Sequence, residues 1–264
     1  MGHPLIPKSD NRVSNSGFLW YTVIAAEKEV ARVKILALSD EECPALWDYY
    51  EPGRLSEYDL ILSCGDLKAE YLTFLVTMGN KPLLYVHGNH DEKYRIAPPE
   101  GCECVDGHLV VCNGLRILGL GGCMKYHPGP FQYTEAQMRR RISRLRLALW
   151  RAGGVDIVIT HAPPRGVGDR EDPAHIGFQC LLVLVEKYHP QYLLHGHVHL
   201  RCNLDLPRVQ EYLGTKVVNV SERCALEIPD RPFPEKDRGK LIWKTHRREP
   251  RDDEAIAKTP FRRF

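Results

Sequence analysis

Five short polar clusters hold the residues with the most chemistry to offer. They are Asp40-Glu41-Glu42, Gly65-Asp66, Gly88-Asn89-His90-Asp91, Thr160-His161 and Gly196-His197-Val198-His199. Carboxylate, amide and imidazole donors recur in them, and thiolates take no part. That mix suits hard-to-borderline divalent ions such as Mn, Fe, Zn or Ni. The glycines ahead of Asp66, Asn89 and His197 fit such a role, because a residue without Cβ lets the backbone turn sharply and project the next side chain. Each cluster also has a plainer reading. A single aspartate at a strand end is more often a helix N-cap than a ligand. A lone His161 fits a hydrogen-bonded core histidine, and His197 and His199 alternate as two strand residues on one face do. Five clusters in order, each just past an apolar run, weigh more than any one alone.

Those runs, at 33–38, 59–63, 82–87, 156–160 and 192–195, read as buried strands. Between them the pattern changes. Residues 68–79 read as a helix, and 109–112 with 116–120 as a hairpin about the turn dipeptide Asn113-Gly114. Residues 134–152 form the best helical stretch, with Met138, Ile142, Leu145 and Leu149 on one stripe and Gly153-Gly154 as the stop. Residues 177–188 read as another helix, and 216–220, 224–228 and 241–244 as later strands. Strand–helix alternation predicts an α/β fold, and the later hairpins add antiparallel strands, so the sheets should be mixed. In such folds polar ligands collect at the carboxyl ends of the strands.

Composition bounds the rest. The 264 residues carry 36 Lys+Arg and 34 Asp+Glu, a net of +2, with 43% hydrophobic and 27% charged residues. There is enough apolar material for a core, and collagen-like, coiled-coil and low-complexity classes are excluded. The longest apolar run, 17–26, is half the roughly 20 residues a helix needs to span a bilayer. Nine cysteines, an odd number without CxxC spacing, argue against a disulfide scaffold or zinc ribbon and for a reducing, cytoplasmic setting. The chain divides into an N-terminal appendage (1–32), a core domain (33–230) and a basic C-terminal tail (231–264). From Lys236 onward the local net charge is +5, which leaves the remainder at −3. Such a tail is ordinarily solvated.

Asp40, Gly65-Asp66, Gly88-Asn89-His90-Asp91, His161 and Gly196-His197-x-His199, in that order, resemble the calcineurin-like metallophosphoesterases over about residues 33–225. The runs ILALSDEE and GGCMKYHPGPFQYTEAQMRRR are similar to those of compact bacterial members. The resemblance implies a four-layer α/β/β/α sandwich, two mixed β-sheets flanked by helices, with two divalent metal ions between the sheets. It implies that Asp66 bridges the ions, that Asn89, His161 and His197 hold one, and that Asp40 and His199 hold the other. His90 would stand over the scissile phosphate as general acid or charge stabiliser, oriented by Asp91, with a bridging hydroxide as nucleophile. Two departures stand out. Where the family has Asp-x-His, this chain has Glu42. Glu42 either ligates the first ion through oxygen, which favours Mn or Fe, or caps the turn at 44–50. And Gly65-Asp66-Leu67-Lys68-Ala69 lacks the second aspartate of Gly-Asp-x-x-Asp.

Around this centre Arg165 and His175 are candidates for phosphate oxygens, since an Arg fork matches them bidentately. His127, in the segment with Tyr126, Phe131 and Tyr133, is a candidate cleft wall that could stack a base. Arg139, Arg140, Arg141, Arg144 and Arg146 mostly lie off the apolar stripe, as a solvated face would, and His87 and His195 read as structural. The expected activity is metal-dependent hydrolysis of a phosphodiester or phosphomonoester. The expected substrate is small and phosphorylated, a nucleotide among the candidates, with nucleic acid a less favoured alternative and no membrane involved. A nuclease or nucleotide pyrophosphatase on the same centre, and a non-catalytic metal-binding scaffold, are the alternatives. Against the scaffold stands His90, which a scaffold has no chemical reason to keep.

Overall fold

A computed structural model describes residues 32–202 and 206–229. In chain order its elements are β1 (Arg32–Ser39), β2 (Leu60–Ser63), α1 (Ala69–Gly79), β3 (Leu83–Tyr85), β4 (Glu103–Cys104), β5 (Leu109–Cys112) and β6 (Leu115–Leu120). Then follow β7 (Cys123–Met124), β8 (Gln132–Tyr133), α2 (Glu135–Arg144), α3 (Arg146–Arg151), β9 (Ile157–Thr160) and α4 (Gln179–Tyr188). The last are β10 (Tyr192–His195), β11 (Val209–Tyr212), β12 (Thr215–Asn219) and β13 (Glu222–Pro229).

Two mixed sheets form. One runs β13-β1-β2-β3-β4, the other β11-β12-β10-β9-β6-β5. Strands β1, β2 and β3 are parallel, as are β6, β9, β10 and β12, while β13, β11 and β5 pair antiparallel at or near the edges. Period-two alternation sorts their side chains into three cores. Ile35, Ala37, Leu60 and Leu62 of the first sheet meet Ile117, Ile157, Ile159, Leu194 and Val218 of the second. On the first sheet's other face, Leu36, Leu38 and Ile61 meet Tyr71, Leu72 and Leu75 of α1. On the second sheet's other face, Leu118, Val158 and Leu193 meet Met138, Leu149, Leu181 and Val185 from α2, α3 and α4. The result is the expected sandwich of helix, sheet, sheet and helix.

Local sequence accounts for most of the elements. Thr134 closes a capping box with Gln137, its hydroxyl accepting from the Gln137 N–H while the Gln137 side chain accepts from Thr134. Asn113 and Gly114 both have positive φ, 48° and 77°, as the two-residue β5–β6 turn requires. The single helix expected at 134–152 is instead two. At Leu145 the backbone shifts to φ −87°, ψ −7°, and its N–H reaches the Ile142 carbonyl, so the chain re-aims before α3. The expected 1–32 appendage, apart from Arg32, the 231–264 tail and the strand expected at 241–244 lie outside the described residues. No described helix is long and apolar enough to cross a membrane.

Candidate metal centre

Asp40, Asp66 and Asn89 follow β1, β2 and β3; His161 and His197 follow β9 and β10. All five thus stand at the carboxyl ends of parallel strands, three from one sheet and two from the other. Asp66, His161 and His197 each present a ligand atom within 4.8 Å of the other two. Asn89 joins them, its Oδ1 lying 3.0 Å from His161 Nε2, and Asp66 Oδ2 lies 3.2 Å from the same nitrogen.

The tautomers follow from the hydrogen bonds. The Cys64 carbonyl accepts from His161 Nδ1 at 2.8 Å, so neutral His161 has its lone pair on Nε2, facing two oxygens that are themselves acceptors. The Ala174 carbonyl accepts from His197 Nε2 at 2.6 Å, which leaves the His197 lone pair on Nδ1. Lone pairs converging without a donor repel, so a cation must neutralise the space among them. In the metal-free protein that cation is a proton. Burial opposes charging His161, but the Asp66 and Asp40 carboxylates overcome it and push its pKa up to about 9. His197 goes the other way, down to about 3, through burial and the neighbouring His161 charge. Burial raises the Asp66 carboxyl, but His161 outweighs it and holds the pKa at about 2. Buried oxygen and imidazole donors of this kind fit a divalent ion of the Mn–Zn range.

Strain and tight packing shape the site. Asp40, Asp66 and His197 all sit at left-handed φ, 66°, 57° and 67°. For non-glycine residues that costs on the order of 1–3 kcal/mol each and persists where the surroundings over-determine it. A Cβ on Gly88 would overlap the Asp66 carboxylate, and one on Gly196 would overlap Ser39 Oγ. Those glycines answer to close approach, since neither has positive φ.

Both Asp40 oxygens accept from the His197 N–H, at 2.9 and 3.0 Å, and burial raises the Asp40 carboxyl despite the nearby His161 charge. His199 Nδ1 lies 3.3 Å from Glu41 Oε1, at the rim. Glu42 turns to the start of α1: its Oε1 accepts from the Lys68 N–H at 3.1 Å and its Oε2 lies 3.6 Å from Lys68 Nζ. It caps that helix, where the macrodipole favours an anion, and not the turn at 44–50. His90 donates its backbone N–H to Asp66 Oδ1 at 2.8 Å and leaves its ring exposed beside that carboxylate. Asp91 does not reach the His90 ring. Its Oδ2 accepts from the Asp66 and Gly88 N–H groups, at 2.9 and 2.7 Å, and so ties two ligand turns together. Burial and the Asp66 charge raise its pKa to about 6. The His175 ring lies 5.1 Å from the His197 ring and is held by Asp172 at 2.8 Å. Arg165 Nε lies 3.9 Å from Asp169, and His127 packs on Tyr126 and Gln132.

Several contributors escape a reading by motif. Asn89 Nδ2 donates to the Tyr126 hydroxyl at 3.4 Å, which brings the aromatic segment to the centre's edge. Behind it Asp106 binds His87 at 3.1 Å, the Gly121 N–H at 2.7 Å and Arg141 Nη2. Arg141 is therefore drawn into this network, its side chain only 12% exposed, and not on the solvated face expected of it. Phe131 stacks on His87 with ring centroids 4.2 Å apart. An aspartate after a two-residue strand and an arginine inside an Arg-rich run carry no spacing signal, so only the structure reveals this support.

Comparison with known proteins agrees with the geometry. The chain is 28% identical over 138 residues to a UPF0046 protein of Caenorhabditis elegans, covering 47% of this chain and 45% of that protein. It is 24% identical over 162 residues to a lariat debranching enzyme of Entamoeba histolytica, covering 51% and 44%. The matched part thus spans less than half the length of either relative. The crystal structure of TT1561 of Thermus thermophilus is similar in fold, with TM-score 0.53 and 16% identity over 76% of this chain and all of that one. The model of the calcineurin-like phosphoesterase family matches residues 34–201, from the start of β1 to just past His199, and the chain belongs to that family.

Proposed function

We propose that the chain is a metal-dependent phosphoesterase acting on a phosphodiester or phosphomonoester. The observation that carries this is the set of converging lone pairs at Asp66 Oδ2, Asn89 Oδ1, His161 Nε2 and His197 Nδ1, a buried donor group that requires a cation. These residues would hold one divalent ion. Asp40 and His199 would hold a second, with Mn or Fe favoured for the oxygen-rich donor set. Two such ions supply Lewis acidity and a water acidified toward neutral pH.

The chain's own residues do the rest. Asp91 fixes the Asp66 and Gly88 turns so that the carboxylate and the Asn89 amide hold their angles. The exposed His90 ring beside Asp66 would give a proton to a leaving oxygen or offset phosphate charge. His175, next to His197, would hold a phosphate oxygen, with Arg165 and His127 as further candidates from the loops after β9 and β7. Glu42, engaged at α1, supports the start of that helix. The match to a lariat debranching enzyme supports phosphodiesters as a substrate class. All eight described cysteines whose side chains are placed are free thiols, which supports a reducing, cytoplasmic compartment.

The test is hydrolysis of bis-p-nitrophenyl phosphate beside p-nitrophenyl phosphate by Mn²⁺-loaded protein, with His161→Ala as control. Turnover that disappears in the variant supports the reading, and the ratio of the two rates separates diester from monoester. Absence of turnover with each divalent ion in turn favours the scaffold alternative.

A further inference from the structure

A groove of about 810 Å³ opens on the helical face, at the other end of β9 from the metal centre. Three cations, Arg144, Arg146 and Lys187, line it together with Trp150, Tyr188 and Leu147, and no acidic residue does. Trp150 is 76% exposed and Leu147 51%. Arg139, Arg140 and Arg151 are exposed on the same two helices. An aromatic residue left open to water amid a concentration of positive charge is the combination that binds an anionic chain carrying flat apolar groups.

We propose that this groove is a binding site for single-stranded nucleic acid, with the Trp150 indole stacking a base and Arg144, Arg146 and Lys187 meeting phosphates. The choice over an acidic peptide follows from the repeat unit. Each nucleotide brings one anion and one π face together, and base–aromatic stacking beside a basic track is sequence-tolerant. A peptide residue supplies either a carboxylate or an apolar group, not both, and nothing in the groove selects an order of the two. Lys187 Nζ already lies 5.3 Å over the Tyr188 ring, which leaves Trp150 as the open platform.

The bound strand would not be the molecule hydrolysed at that position. Gly153 and Gly154, also in the groove wall, precede β9, and His161 follows it. The two sites therefore lie at opposite ends of a four-residue strand, about 13 Å of chain at the usual rise. The groove tethers a strand while the metal centre acts elsewhere, and its existence does not depend on the proposed phosphoesterase activity.

The test is fluorescence anisotropy with a labelled 12-nucleotide oligo(U), in EDTA so that hydrolysis cannot intervene, using the full chain. Binding is expected to weaken with salt, with a log–log slope near −2 for three phosphate contacts. Trp150→Ala should lower affinity about tenfold, the loss typical of one stacked base, and Arg146→Ala should make the slope shallower by about 0.7. Both residues are exposed, so unchanged thermal melts certify folded variants. Oligo(U) binding that is absent at low salt would overturn the proposal. So would binding indifferent to Trp150→Ala, which would assign it to the basic tail. Equal binding of a polyglutamate of matched charge would also overturn it, in favour of an acidic protein partner.

Discussion

Metal affinity at this centre should be governed by one proton. In the metal-free protein His161 is held charged, its pKa pushed up to about 9 by the Asp66 and Asp40 carboxylates against the effect of burial. A metal ion needs the neutral imidazole, so below pH 9 it must first displace that proton. His197, down at about 3, and Asp66, at about 2, are already in their ligating forms at neutral pH and release nothing. At pH 7 the displacement costs about 2.7 kcal/mol, roughly a hundredfold in Kd, and each unit of pH restores about tenfold. Isothermal titration of Mn²⁺ at pH 6.5, 7.5 and 8.5, in two buffers of different ionisation heat, reads both the affinity and the protons released. The expected result is about one proton released at pH 7.5 and Kd tightening about a hundredfold from pH 6.5 to 8.5. Proton release near zero, or an affinity flat across that range, would refute the assignment of His161 as ligand.

Other consequences are as specific. Gly88→Ala drives a Cβ into the Asp66 carboxylate, so equilibrium dialysis should show Mn²⁺ binding lost or weakened by more than about tenfold, while far-UV dichroism stays unchanged. Glu42→Gln should leave Mn²⁺ affinity within about twofold and lower stability to urea by about 0.3–1 kcal/mol, the value of an anion at a helix start. A tenfold weaker metal would instead place Glu42 in the coordination sphere. Asp156, fully buried, accepts from the Arg116 backbone N–H at 2.9 Å, from Nε at 2.9 Å and from Nη2 at 2.7 Å. Asp156→Ala leaves only the Nη1 bonds to the Ala152 and Gly153 carbonyls on that guanidinium and should cost about 3–5 kcal/mol in urea unfolding. Metal-free protein should lose stability as pH rises from 6.5 through 9, because a histidine whose folded pKa is raised stabilises fully only below its unfolded value. Metal-saturated protein should show only the smaller decline that His87 contributes, its pKa pushed up to about 10 by Asp106 against burial, and the difference between the melting temperatures of the two forms across the range decides it.

The ligand clusters were legible because the chemistry demands particular residue types just past apolar runs. Asp66, Asn89, His161 and His197 announce themselves that way, and the structure gathers them. The helices and the Asn113-Gly114 hairpin were legible through periodicity and turn chemistry. What the sequence hides is direction. Glu42 has the reach of a ligand, yet Lys68 offers it a backbone N–H and a charge. Asp91 follows His90 directly, but the unpaired N–H groups of two neighbouring turns claim its carboxylate. Leu145 continues a helical stripe while its backbone breaks the helix. The antiparallel pairing of β13 with β1, from Arg32↔Pro229 to Ser39↔Glu222, joins residues nearly 200 positions apart, and no local pattern encodes it.

A metal held by Asp66, Asn89, His161 and His197 is expected to drive phosphoester hydrolysis. Bound Mn²⁺ per chain after desalting, and hydrolysis of bis-p-nitrophenyl phosphate, measured on the same samples of wild type and His161→Ala, test it most directly. The variant is expected to lose bound metal and turnover together while keeping the wild-type fold by dichroism. Turnover that survives in His161→Ala, or in wild type stripped of metal, would contradict it.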